Sequence, residues 1–123
     1  MFDHISIGVS DLAKARAFYD AALAPLGYTR LSQDDGSLGY GASEVALWVL
    51  QCAAPVKDDD ASGLHICFVA PTRESVDGFH AAALKQGGRD NGAPGPRPDY
   101  GPSYYAAFVK DPDGYRLEAH CGA

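Results

Sequence analysis

At 123 residues and 46% hydrophobic composition, the chain has enough apolar side chain for one core and the usual length of a single domain. A net charge of −6, with acids and bases interspersed, excludes a phosphate-tracking nucleic-acid surface, and no stretch approaches the roughly 18 apolar residues of a membrane span. The opening residues lack the basic and apolar regions of a secretory leader, and Cys52, Cys67 and Cys121 show no C-x-x-C spacing, so a cytoplasmic domain with a small-molecule partner and reduced cysteines is expected.

In chain order, Ile5-Ser6-Ile7-Gly8-Val9 alternates as a strand does. Asp11 is placed to cap a helix whose apolar positions Leu12, Ala15, Phe18, Tyr19, Ala22 and Leu23 recur at helical spacing before Gly27 ends it. Strand-like runs follow at Tyr28–Leu31, Leu38–Gly41 and Glu44–Leu50. The segment from Ala53 to Gly63, with Pro55 and Lys57-Asp58-Asp59-Asp60, has the composition of a linker. Leu64 to Val69 then reads as a strand, and a helix begins at Thr72 or Ser75, carries Val76, Phe79, Ala83 and Leu84, and ends at Gly87-Gly88. Asn91 to Pro102 is so rich in proline and glycine that a strand there is expected to be short or lost; strands resume at Tyr104–Lys110 and Tyr115–Cys121.

The second half repeats the first at a constant offset of 61 positions: His4-Ile5 returns as His65-Ile66, Phe18 as Phe79, Ala21-Ala22-Leu23 as Ala82-Ala83-Leu84, and Gly27 as Gly88. The unit is β-α-β-β-β, used twice. The expected organisation is one α+β domain over 1–123, with module one at about 1–55, a linker at about 53–63 and module two at about 62–123.

Strand alternation sets His4 and His65 off the apolar face of their strands, at equivalent positions of the repeat. Glu118 stands opposite Leu117 and Ala119 in the last strand. Two imidazoles and one carboxylate suit one divalent ion, Fe, Mn, Zn, Ni or Co, with coordination positions left open. Alternation also groups Tyr104, Ala106 and Phe108 on one face, while Arg97 and Tyr100 lie in the proline-rich loop, where they could form a lid with an anion clamp and a hydroxyl donor.

Taken together, Asp3-His4-Ile5-Ser6-Ile7-Gly8-Val9, Phe18-Tyr19 with Leu26-Gly27-Tyr28, Gly63-Leu64-His65-Ile66, and Asp111-Pro112-Asp113-Gly114 followed by Glu118 resemble the vicinal-oxygen-chelate superfamily of glyoxalases, bleomycin-resistance proteins and extradiol dioxygenases. The resemblance implies two tandem βαβββ modules forming a curled mixed sheet around a cup, the glyoxalase/bleomycin resistance/dihydroxybiphenyl dioxygenase fold. It also implies metal ligation by His4, His65 and Glu118, Glu118 as the catalytic carboxylate, a substrate pocket lined by Trp48, Tyr104 and Phe108 with Arg97 and Tyr100 at its mouth, and a homodimer. In glyoxalase I-like members a further ligand stands on the last strand of the first module; the matching position is Trp48, so ordinary glyoxalase I activity is not expected. The implied function is metal-dependent chemistry of the lyase, isomerase, dioxygenase or thiol-transferase kind on a small oxygenated substrate. The alternatives are a metal-free sequestration protein of the bleomycin-resistance kind and a fosfomycin-resistance-like thiol transferase.

Overall fold

The alternating run at the start forms β1 (Ile5–Val9), with Ile7 and Val9 buried. In the computed structural model, which describes residues 1–122, the chain continues into α1 (Leu12–Leu23), whose Asp11 cap accepts a hydrogen bond from Lys14 N. Five residues of its inward face, Ala15, Phe18, Tyr19, Ala22 and Leu23, are buried. A 3-10 turn, Ala24–Leu26, stops at Gly27, whose φ of 89° is a conformation that favours glycine. Then come β2 (Thr29–Gln33), β3 (Ser37–Gly41) and β4 (Val45–Gln51). The first strand lies parallel beside the last, giving the order β1-β4-β3-β2.

Module two repeats this plan with β5 (Ile66–Val69), α2 (Arg73–Lys85), β6 (Arg89–Pro96), β7 (Tyr105–Lys110) and β8 (Arg116–Cys121), in the order β5-β8-β7-β6. Of the two possible starts of α2, Thr72 is the cap, in a reciprocal capping box with Ser75. The two helices pack against each other, and both sheets bury one face beneath them.

Three sequence expectations need correction. Asn91 to Pro102 does not lose its strand: β6 runs through Pro94 to Pro96 as an eight-residue strand. It is an edge strand with register shifts between Asp90 and Gly92 and between Gly92 and Gly95, and an edge tolerates residues that donate no backbone hydrogen bond. The repeat also loosens at the helix ends, where Leu23 is buried but Leu84 is 39% exposed. Gly88 serves close packing: a Cβ there would lie 2.7 Å from Phe18 of the other module. Finally, β5 begins at Ile66, so Leu64 and His65 precede the strand expected to contain them, as His4 precedes β1.

The modules are also tied through the Asp111-Pro112-Asp113-Gly114 turn. Asp111, 1% exposed, accepts hydrogen bonds from the Tyr19 hydroxyl at 2.5 Å and from the backbone N–H groups of Asp113 and Tyr115. Asp113 accepts from Ser10, and the Tyr115 hydroxyl donates to Gly8 O at 2.6 Å. A carboxylate so buried is tolerated because its acceptor capacity is met. Asp111→Ala strands three donors and should lower stability by about 3 kcal/mol in urea unfolding, against about 1–2 kcal/mol for Tyr19→Phe. Burial is the largest influence on Asp111 and raises its carboxyl pKa above 3.8. The folded state therefore holds a proton just above that pH where the unfolded chain has lost it. The stability due to this group falls as pH rises through that window, a dependence that Asp111→Asn should remove.

Candidate functional site

Glu118 lies on β8, flanked by β5 and β7, opposite Cys67 on one side and Phe108 on the other. Its neighbours Leu117 and Ala119 are in the core, so alternation turns Glu118 to the other face of the sheet. It is nevertheless only 3% exposed, and both oxygens are engaged. His65 Nε2 lies 2.9 Å from Oε1, and the Tyr104 hydroxyl donates to Oε2 at 2.5 Å. Burial, and after it the bond to Glu118, pushes the Tyr104 hydroxyl pKa well up, which keeps its proton available for donation. The Cys67 thiol is pushed up to about 12, first by burial and then by the Glu118 charge.

Aromatic rings surround this carboxylate. His120, two residues beyond Glu118 on the same face, stacks on Tyr104 with ring centroids 3.7 Å apart. Tyr100 meets Tyr104 edge-on at 5.3 Å and Phe108 lies 6.3 Å from His65. Arg97 places its guanidinium 5.4 Å over the Phe108 ring, with Nη1 donating to Gly95 O and Pro96 O and Nη2 to Ala93 O. Of the residues singled out in the sequence, the structure thus gathers His65, Glu118, Tyr104, Phe108, Arg97 and Tyr100. Cys67 and His120, neither of them among the site residues singled out in the sequence, join this face as well. The signal for Cys67 was its phase, one position past Ile66 and therefore on the face of Glu118; for His120 it was the period of two from Glu118.

Two residues stand elsewhere. Trp48, on β4, pairs with Ser6 and Gly39, and a Cβ at Gly39 would lie 2.9 Å from its indole. Since Ser6 and Cys67 are repeat equivalents, Trp48 occupies in module one the register position that Glu118 occupies in module two. His4 is bonded through Nδ1 to Asp3 at 2.6 Å and lines a cavity of about 710 Å³. His65 lines a different one of about 520 Å³, and Cys67 borders both. Among the described residues, no three His, Cys, Asp or Glu side chains of one chain come close enough together to hold a metal ion.

For a divalent ion, the donor chemistry of the chain fits in part. The 2.9 Å between His65 Nε2 and Glu118 Oε1 is a hydrogen-bond length, and it is also about the separation of two adjacent ligands at bond lengths of roughly 2.0–2.2 Å. An imidazole and a carboxylate at that spacing are two members of the expected set; His4 of the same chain is not the third.

The fold and this site define a class, and comparison with known proteins agrees. The model of the Glyoxalase/Bleomycin resistance protein/Dioxygenase superfamily matches residues 1–119. The chain belongs to that superfamily. A glyoxalase/bleomycin resistance protein from Albidiferax ferrireducens is 31% identical, with 98% of each chain covered and a TM-score of 0.84. Fosfomycin resistance protein FosX from Listeria monocytogenes shares the fold at 18% identity, with 100% of this chain and 93% of that one covered and a TM-score of 0.73. A glyoxalase I mutant from Zea mays does so at 20% identity and a TM-score of 0.74, over 97% of this chain and 45% of that one. No curated protein sequence matches the chain.

If an ionised Glu118 helps to hold the Cys67 thiol protonated, Glu118→Gln should raise the rate at which iodoacetamide alkylates Cys67 at pH 8.5, followed by peptide mass spectrometry. An unchanged rate would mean that the Glu118 charge does not hold that thiol, on an exposed residue, in its protonated form.

Proposed function

We propose that the protein is a metal-dependent enzyme that acts on a small oxygenated substrate, with a divalent ion held by His65 and Glu118 of one chain and His4 of a second copy. The observation that carries this reading is the 3%-exposed carboxylate of Glu118, set against an imidazole nitrogen and a protonated tyrosine on the open face of the sheet. A bound divalent ion supplies Lewis-acid stabilisation of negative charge on substrate oxygens. Glu118 is the catalytic carboxylate of this reading, and Tyr104 fixes it by donating to Oε2. Phe108, Tyr104 and Tyr100 exclude water on one wall, and Trp48, which stands apart from them within a chain, joins the pocket, like His4, from the second copy.

Support for a homodimer comes from the inner edges of both sheets. β1 and β5 each pair on one side only, and Phe2, Ile5, Leu64 and Val69 expose apolar surface along them. A two-fold dimer that covers these edges could bring His4 of one chain to Glu118 of the other. Trp48 in place of a further acidic ligand disfavours glyoxalase I chemistry, leaving isomerase, dioxygenase and thiol-transferase reactions within this reading. The three cysteines are free, in keeping with a reducing, cytoplasmic setting.

Metal content after dialysis against Mn(II), Fe(II), Ni(II) or Zn(II), read by mass spectrometry, tests the site. About one ion per chain is expected, with none in His4→Ala or Glu118→Ala. Refolding those two variants together in equal amounts should restore about one ion per four chains, because half of the dimers are mixed and each carries one complete site. A site built within one chain would give no recovery. Wild-type protein that takes up no ion would turn the reading to metal-free sequestration of a ligand in the same aromatic cup.

A further inference from the structure

Four of the ten arginines and lysines of this acidic chain are matched by carboxylates: Arg16 and Arg30 meet Asp20, Arg89 meets Asp58, and Lys110 meets Asp58 and Asp60. Arg97 is different. It is partly buried, lies beside the site over Phe108, and has only backbone carbonyls for partners. Those carbonyls use Nη1 and one donor of Nη2. Nε and the second Nη2 donor, on the two nitrogens of the side-on fork of a guanidinium, have no acceptor among the described residues. Carbonyls fix the plane of the group without cancelling its charge, and a ring beneath it adds a cation–π contact. The backbone is fixed as well: Arg97 N donates to Tyr104 O at 2.8 Å, while the guanidinium reaches back along the hairpin to Ala93 O, beside Phe108.

From this we infer that Arg97 is the residue that selects the substrate, and that the substrate is an organic anion: a planar, ring-bearing molecule with a carboxylate set away from the oxygens that face Glu118. The guanidinium fork matches two carboxylate oxygens, a geometry that a lysine ammonium does not reproduce. The rings of Phe108, Tyr104 and His120 give a planar skeleton a wall to lie on. Both oxygens of Glu118 are already engaged, by His65 and the Tyr104 hydroxyl, and Arg97 makes no contact with them, which leaves it to act on the ligand.

This inference rests on the ligand cup of the proposed function but not on the metal, and two probe pairs separate the two. On Mn(II)-dialysed protein, 3,4-dihydroxybenzoate is compared with catechol by calorimetry; on metal-stripped protein, benzoate is compared with benzamide. In each pair the carboxylate form should bind about ten-fold or more tighter. Arg97→Gln should abolish that preference while leaving affinity for the neutral probe unchanged, and Arg97→Lys should restore only part of it. Phe108→Leu, which keeps the cation but removes the ring beneath it, should weaken the preference several-fold in a protein of unaltered melting temperature. Equal binding of both members of each pair by the wild type, or a preference that survives in Arg97→Gln, overturns the inference. A preference for benzoate in protein that takes up no metal upholds Arg97 as the selecting residue while the metal reading fails.

Discussion

A carboxylate with 3% exposure must have its oxygens answered from within the protein, and at Glu118 that requirement organises the whole face of the second sheet. One answer comes from His65, at the mouth of β5, and the other from Tyr104, at the entrance to β7. Both groups reach the carboxylate because β8 lies between those strands, an order produced by the parallel pairing of first and last strand in each module. Tyr104 in turn supports the His120 and Tyr100 rings and shares a backbone hydrogen bond with Arg97.

The same rule operates a second time at Asp111, with a different result. There the buried carboxylate is answered by a tyrosine from α1 and by its own turn, so that it joins the modules and presents nothing to a ligand. Two buried acids seven residues apart in one chain thus stand in different surroundings, and the difference lies in what faces them. Asp111 is enclosed by Tyr19 and backbone, whereas Glu118 meets an imidazole that is 46% exposed. A group that is open on one side can exchange its partner for a ligand; one enclosed on all sides cannot.

Divergence between the repeats makes the two sheets unlike. At matching register positions, module one carries Ser6 and Trp48, and module two carries Cys67 and Glu118. One sheet carries an indole and the other a carboxylate engaged by His65 and Tyr104, so the polar cluster lies on module two. That concentration agrees with Arg97 lying on the same module, where its charge acts on a ligand close to Glu118.

The sequence by itself determined the two-module plan, because hydrophobic spacing, helix caps and a constant repeat offset are local or periodic signals that the backbone must obey. It also determined that His65 and Glu118 share a surface, since strand phase follows from counting. It misjudged β6, where proline and glycine weaken a central strand but are accepted at a sheet edge, and edge position is a property of the assembled sheet. It showed Asp111 as a turn residue because burial by Tyr19, 92 positions away, leaves no local trace. Only the tertiary structure decided that His4 stands apart from His65 within a chain and that Arg97 holds its charge without a carboxylate partner. Both depend on how distant segments approach one another, and no periodicity in the chain encodes that.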